Sequence, residues 1–166
     1  MRIVSNTSPL TNLAAIGSFE LLQGLFGEIF IAEGVWAELN AGGHAYPGSR
    51  EVSEASWVHR RKVDNRPLIA TLQSDLDLGE AETLALAWEL KADLVLLDER
   101  ESRRAAARLG LETMGVLGIL HSSKRKGLIG NLQEPMDALR RRAGFYIGDG
   151  LYRRMLEEAG EKLADA

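Results

Sequence analysis

The chain has 166 residues, of which 45% are hydrophobic and 27% are charged, and its formal net charge is −4. This composition is typical of a globular protein with a sizeable core rather than of a disordered or fibrous one. No cysteine is present, which excludes a disulfide scaffold and a thiolate metal site. The negative charge argues against a surface that coats nucleic acid, although it allows a local basic groove around an acidic site.

No apolar run in the sequence is long enough to span a bilayer, and the opening segment MRIVSNTSPL lacks the basic-then-apolar layout of a signal peptide. The absence of cysteine is compatible with a reducing compartment. We therefore expect a soluble, cytoplasmic protein that makes no contact with a membrane.

Short apolar runs alternate with segments of helical periodicity along the first half of the chain. Ser8 and Pro9 suit an N-cap and a first helical position, so they predict a helix start after the first strand. The basic run at 60–62 suits solvent better than a core and predicts an edge strand. The elements predicted here are strands over 2–5, 29–32 and 57–63, helices over 9–17, 19–25, 34–39 and 67–73, and a loop over 40–50.

The second half is organised around residues 78–100, where one helical face leads into a short run of leucine and β-branched residues. These residues predict a helix that begins with Glu80 and a strand over 93–97 that finishes on Asp98. Strands that alternate with helices indicate an α/β protein with a mainly parallel sheet covered on both faces. The remaining predicted elements are a strand over 111–114 and helices over 99–109, 116–126, 135–143 and 150–159.

The C-terminal segment has a different character, because it consists of two helical patterns with no strand between them. Leu151, Met155 and Leu156 give the last helix an apolar stripe. We therefore divide the chain into a domain over 1–130 and a helical extension over 131–166, which packs on the domain or on a partner.

Four polar residues fall at strand ends or near helix starts: Asn6, Glu38, Glu80 and Asp98. In open α/β folds, the carboxyl edge of the sheet is where chemistry is placed. Oxygen ligands that converge from separate elements are what a hard divalent cation such as Mg²⁺ or Mn²⁺ requires. Such an ion can activate a water and stabilise the leaving oxygen in phosphodiester cleavage. The spacing therefore favours a metal site at this edge.

Each of these residues also has a structural interpretation. Asp98 can equally be the N-cap of the helix that follows it. Glu80 lies in a first helical turn, where the helix dipole already favours an acid, and Glu82 is best explained as a structural residue of the same turn. Glu38 alone is typical of a solvated helix, and Asn6 of a turn. Spacing alone leaves both interpretations open.

The basic clusters are most simply solvated helix faces, and phosphate contact is the minority interpretation for each. The three histidines, His44, His59 and His121, show no metal-ligand spacing. The chain has no nucleophile elbow, no phosphate-binding loop and no glycine-rich dinucleotide fingerprint. The clusters are Arg103, Arg104 and Arg108, then Lys124, Arg125 and Lys126, then residues 140–142.

Four motifs, IVSNTSPLTNLAAIG, VWAEL, LGEAETLALA and ADLVLLDER, resemble those of PIN-domain proteins, specifically the VapC-like branch. The resemblance covers residues 2–129, and the tail FYIGDGLYRRMLEEAGE is also similar to that branch. It implies a three-layer α/β/α sandwich and a ribonuclease that depends on Mg²⁺ or Mn²⁺. It further implies the toxin of a toxin–antitoxin pair, with RNA as substrate, an antitoxin protein as partner, and a homodimer.

Carried over position by position, the four acids of the family fall on Asn6, Glu38, Glu80 and Asp98. The resemblance implies that Asn6, Glu80 and Asp98 hold the metal and that Glu38 completes the acidic pocket. Thr7 and Ser8 match the hydroxyl residues that usually follow the first acid. Asn6 departs from the family pattern, because an amide oxygen can coordinate a hard cation but brings no negative charge. We therefore expect weaker metal binding than a four-acid site would give.

Two further interpretations stay open. A PIN-like fold with a depleted site could bind RNA or a protein partner without cutting it. An unrelated α/β nucleotide-binding module is a third interpretation, and the absence of a glycine-rich loop after Ser5 argues against it. For the toxin interpretation, a basic side chain of the antitoxin, inserted among the carboxylates, is a natural way to displace the metal.

Overall fold

The computed structural model describes residues 1–43 and 46–162, so that His44 lies outside the described residues. The strands are β1 (Ile3–Ser5), β2 (Ile29–Ala32), β3 (Val58–Arg61), β4 (Leu94–Leu96) and β5 (Thr113–Met114). The helices are α1 (Thr7–Ala15), α2 (Leu21–Phe26), α3 (Glu33–Asn40), α4 (Ser49–Glu54), α5 (Arg66–Leu72), α6 (Leu78–Leu90), α7 (Arg100–Arg108), α8 (Val116–Arg125), α9 (Gln133–Arg142) and α10 (Asp149–Glu158). None of these helices combines the length and the apolar character needed to cross a membrane.

The five strands form one sheet in the order β3-β2-β1-β4-β5, and all of their pairings are parallel. The predicted parallel sheet is therefore confirmed, as is the edge position of β3. β1 pairs with both β2 and β4, so the strand order reverses between β1 and β4. In an open parallel sheet, such a reversal leaves a crevice beyond the carboxyl ends of the two strands.

Helices cover both faces of the sheet. Successive strand residues point to opposite faces, so Ile3 packs with α1, α2, α8, α9 and α10, whereas Val4 packs with α5, α6 and α7. β4 divides in the same way, with Leu96 in the first layer and Val95 in the second. The predicted three-layer α/β/α sandwich is confirmed.

The C-terminal helices pack on the same core as the first helices of the chain. Leu139 of α9 and Leu156 of α10 are fully buried together with Leu10 and Leu13 of α1. Beyond α10, the Glu161 carboxylate accepts the backbone N–H of Leu132 at 2.7 Å. The two helices therefore complete one face of the sandwich, while the proposed boundary at residue 130 stays a prediction.

Three predicted helix starts that bear on the candidate site differ from the structure, and side-chain capping explains one of these differences. α1 begins at Thr7 with Asn6 as its N-cap, rather than with Ser8 and Pro9. α6 begins at Leu78, before Glu80, because Asp77 is its N-cap and accepts the N–H of Glu80 at 2.8 Å. A capping carboxylate satisfies an N–H that has no partner within the helix, so Asp77 sets the helix start.

The third difference concerns α7, whose N-cap is Glu99 and not Asp98. The capping interpretation of Asp98 in α7 is therefore wrong, and its carboxylate is used elsewhere. The segment predicted as a loop over 40–50 is also interrupted, since α4 begins at Ser49 after the left-handed Gly48, whose φ is 97°. Glycine adopts this backbone conformation without the steric cost that a Cβ would bring.

Candidate active site

The candidate site lies where the strand order reverses, at the carboxyl ends of β1 and β4. Asn6 directly follows β1, and its backbone N–H donates to the carbonyl of Leu96 on β4 at 2.9 Å. Asp98 lies two residues beyond that same strand. The two chain segments are therefore held side by side by the sheet, which brings two of the four predicted site residues to one crevice.

Asn6 is 4% exposed, and its side chain does not cap the helix that it begins. The Thr83 hydroxyl of α6 lies 3.4 Å from the Asn6 Oδ1 atom and also donates to the carbonyl of Gly79 at 2.7 Å. The contact to Asn6 is long for a hydroxyl donor, whereas the one to Gly79 is of normal length. The amide oxygen of Asn6 is therefore buried and only weakly engaged.

Glu38 joins the site from α3. The Thr7 hydroxyl donates to its Oε2 atom at 2.6 Å, which links the residue after Asn6 to this carboxylate. The other oxygen, Oε1, lies against Gly79 at the start of α6, and a Cβ at that position would collide with it. Glu38 is exposed, as its sequence position predicts, yet its carboxylate is held by two other elements.

Glu80 projects from the first turn of α6 toward α7. The Ser102 hydroxyl donates to its Oε2 atom at 2.6 Å, and Ser102 itself is fully buried. Burial raises the pKa of Glu80 from 4.5 to about 7, a hydrogen bond with Asp77 adds to the increase, and the bond from Ser102 opposes it. Desolvation disfavours the charged form of a carboxyl group, so this site holds negative charge at a cost.

The raised pKa of Glu80 predicts how the stability of the metal-free protein depends on pH. Between pH 4.5 and about 7, the folded state binds a proton that the unfolded state releases, so the free energy of unfolding falls as pH rises through this window. We expect Glu80→Gln to reduce this fall, because glutamine does not titrate. Thermal melting in EDTA over this pH range, with the exposed Glu101→Gln of α7 as control, measures the difference. Melting temperatures that change equally with pH in the wild type and in Glu80→Gln would contradict this expectation.

Asp98 is the most enclosed of the three carboxylates, with a side chain that is 14% exposed. Its Oδ1 atom accepts the backbone N–H of Val116 at 3.0 Å, at the start of α8, and lies 3.9 Å from the Arg103 guanidinium. Its Oδ2 atom is buried with no hydrogen-bond partner. Burial raises the pKa of Asp98, and the bond from Val116 opposes this increase. A Cβ at Gly115 would collide with both Asp98 and Arg103.

The four predicted residues are joined through intermediate side chains and the backbone. Asn6 and Glu38 are linked through Thr7 and through the start of α6, whereas Glu80 and Asp98 each contact α7, through Ser102 and Arg103. Within residues 1–43 and 46–162, no direct hydrogen bond joins any two of the four. In the same residues, no group of three or more His, Cys, Asp or Glu could hold a metal ion.

A family model described as a PIN domain matches residues 2–161. The chain belongs to the PIN-domain family. PIN domains are generally nucleases that bind RNA and use divalent metal ions. The match confirms the family predicted from the sequence, whereas the VapC-like branch stays a prediction. Among curated proteins, no sequence matches the chain.

Two buried oxygen atoms of this PIN domain, from Asp98 and Asn6, are of the kind that a hard divalent cation takes as ligands. Asp98 keeps one buried oxygen free of any hydrogen bond, which is costly for a carboxylate unless a cation faces it. The Asn6 Oδ1 atom is also buried and weakly engaged. Only two of the three predicted metal ligands are acids, and a metal there would require Asn6 as the third.

Glu82, interpreted as structural, is 6% exposed, and its Oε2 atom has no hydrogen-bond partner and lies against Gly34 of α3. Sequence reasoning missed two side chains that contact the candidate site residues. Arg103, grouped with solvated arginines, faces Asp98, and Ser102 binds Glu80. No local signal identifies Ser102, because its partner Glu80 lies 22 residues earlier, on another helix.

Proposed function

We propose that this PIN domain is an endoribonuclease that depends on Mg²⁺ or Mn²⁺. The observations that carry the proposal are the buried, unpartnered oxygen of Asp98 and the buried, weakly engaged amide of Asn6, which follow the neighbouring strands β4 and β1 where the strand order reverses. A pair of oxygen donors at this point of an open parallel sheet suits a hard cation and a phosphodiester substrate.

In this proposal, Asn6, Glu80 and Asp98 hold the metal, and Glu38 completes the acidic pocket. A divalent ion at this position supplies an activated water and stabilises the charge of the leaving oxygen in an in-line displacement. Two ligands carry a raised pKa, so protons compete with the cation for them. Metal affinity is therefore expected to increase as pH rises toward and above 7.

The residues around the ligands orient them. The Thr7 hydroxyl fixes Oε2 of Glu38, the Ser102 hydroxyl fixes Oε2 of Glu80, and the Val116 N–H fixes Oδ1 of Asp98. In each case one carboxylate oxygen is held by a protein donor. Such outer contacts set the direction of a metal ligand and commonly alter affinity by 10- to 100-fold when removed.

We propose further that the protein is the toxin of a toxin–antitoxin pair, acts on RNA in the cytoplasm as a homodimer, and is silenced by an antitoxin. The VapC-like motifs support this role. The approach of the Arg103 guanidinium to Asp98 at 3.9 Å supports the mode of silencing, since it shows that a cation from a side chain fits beside this carboxylate.

The test is cleavage of RNA by the purified protein with Mn²⁺ or Mg²⁺. We expect structured RNAs to be cut with either ion, and cutting to stop in EDTA, because the carboxylates alone supply no activated water. The Asp98→Ala variant serves as the contamination control. Cleavage that persists in EDTA and in the variant would come from another nuclease, and no cleavage of any RNA would contradict the proposal.

The second candidate is a PIN domain that binds RNA or protein without cutting it. The observation that favours it is the uncharged Asn6 at the position of the first acid, since each lost ligand charge weakens a site for a hard cation. RNA binding without cleavage under any metal condition would support this candidate.

A further inference from the structure

A cleft of about 830 Å³ opens beside Asp98 and runs along the β5 edge of the sheet. Its walls come from α7, α8, α10 and the segment that joins α9 to α10. The cleft therefore connects the candidate active site to the C-terminal part of the chain, and none of the ligand roles proposed above uses its far end.

The end of the cleft next to Asp98 is basic. Arg100 and Arg103 of α7 both line it, and His121 of α8 follows. In the described part of the chain, Arg100 forms no ion pair, so its guanidinium is available to a ligand. Glu158 of α10 is the other acid of the lining and belongs to the C-terminal wall. Guanidinium groups next to a site for phosphodiester cleavage are suited to the flanking phosphates of the same strand.

The far wall carries an exposed aromatic ring on a fixed backbone. Tyr146 is 88% exposed, although Phe145 before it packs on the core and Ile147 after it is 4% exposed. The N–H of Phe145 donates to the carbonyl of Leu139 at 3.0 Å, and the Arg140 guanidinium donates to the carbonyl of Ile147 at 2.6 Å. The ring of Tyr146 is thus presented to solvent by a segment that is anchored on both sides.

We propose that this cleft binds single-stranded RNA beside the scissile phosphate, with Tyr146 stacked on an unpaired base and Arg100 in contact with a phosphate. The inference rests on the function proposed above and identifies two side chains, beyond the proposed metal ligands, that contact its RNA substrate. The cleft lining presents both cationic groups and an exposed aromatic ring. Phosphates and bases match these two features in turn, and stacking requires a base that is not paired.

The test is fluorescence anisotropy with a labelled, single-stranded oligoadenylate of about 12 nucleotides, within the range of known single-strand site sizes. EDTA is present throughout, so that no cleavage occurs. We expect Tyr146→Ala to weaken binding roughly tenfold and Tyr146→Phe to retain wild-type affinity, because stacking needs the ring and not the hydroxyl. We expect Arg100→Ala to reduce the slope of log affinity against log salt by about 0.7, the value for one phosphate contact on a single strand.

The matched control is Tyr46→Ala. Tyr46 is also exposed, at 59%, but it lies between α3 and α4 and does not line the cleft. We expect this variant to bind as the wild type does. Equal affinity of Tyr146→Ala and wild type, or no binding of the oligonucleotide at all, would overturn the inference and leave a protein segment as the occupant to consider.

RNA binding in the cleft and metal-dependent cleavage can be tested separately. If RNA binding depends on Tyr146 but the protein cuts no RNA with any metal, the proposed RNA site in the cleft is supported and the nuclease proposal is contradicted. Metal-dependent cleavage, together with an affinity for single-stranded RNA that does not change when Tyr146 or Arg100 is replaced, supports the nuclease proposal and contradicts RNA binding in the cleft.

Discussion

Replacing Asp98 with asparagine is expected to lower the rate of RNA cleavage by about three orders of magnitude. A divalent ion supplies several kcal/mol of charge stabilisation, and each ~1.4 kcal/mol is a factor of ten in rate. Asparagine retains an oxygen at the position of Oδ1, which accepts the Val116 N–H at 3.0 Å. The substitution therefore removes the charge and preserves the contact to α8. Single-turnover cleavage with Mn²⁺ measures the loss.

The same substitution separates function from stability. Burial raises the pKa of Asp98, so the metal-free fold accommodates the charged form of this carboxylate poorly. We expect Asp98→Asn to melt in EDTA at or above the temperature of the wild type. Asp98→Ala, by contrast, leaves the Val116 N–H without its acceptor, at a cost of about 1–3 kcal/mol.

The matched control for this prediction is Asp93→Asn, the same change at the opposite end of β4. The Asp93 carboxylate accepts the N–H of Arg2 at 2.7 Å and lies away from the crevice. Wild-type cleavage by this control is expected. Cleavage by Asp98→Asn at the wild-type rate would show that the buried carboxylate has no role in the reaction.

Asn6→Asp is expected to strengthen Mn²⁺ binding by about tenfold or more, because an added ligand charge shifts the affinity of oxygen sites for hard cations by decades. Asn6 is 4% exposed, so the new carboxylate would be as desolvated as that of Asp98. In EDTA, we therefore expect the variant to melt below the wild type above pH 7, and saturating Mn²⁺ to reverse this order.

Asn12→Asp, on the same helix α1 but one and a half turns beyond the crevice, is the control for an added charge. We expect Asn12→Asp to bind Mn²⁺ with the affinity of the wild type. If Asn6→Asp and Asn12→Asp respond to Mn²⁺ alike, Asn6 is not a metal ligand, and the departure from the family pattern at this position has another cause.

Much of the fold was predictable because local patterns and sheet geometry agree. The apolar run over 29–32 is β2 with the predicted bounds, and the basic residues Arg60 and Arg61 lie on the edge strand β3. Asn6 and Asp98 lie at the same edge of the sheet because β1 and β4 are neighbours. That neighbour relation is a property of the strand order, which no local pattern reveals.

The details of the site were less predictable because they depend on partners far along the chain. Asp98 was interpreted as a possible cap of the next helix, but it accepts a hydrogen bond from Val116, 18 residues later. Glu82 has the spacing of an ordinary first-turn acid, and only the approach of Gly34 explains its burial. Capping rules consider three or four neighbouring residues, so they cannot find contacts between helices.

The most direct test of the proposed metal site is calorimetric titration of the purified protein with Mn²⁺ at pH 8, above the raised pKa of Glu80. We predict that affinity increases from Asp98→Asn, through the wild type, to Asn6→Asp. This order follows from the number of carboxylates among the three proposed ligands. Identical titration curves for all three proteins would contradict a metal site built from Asn6, Glu80 and Asp98.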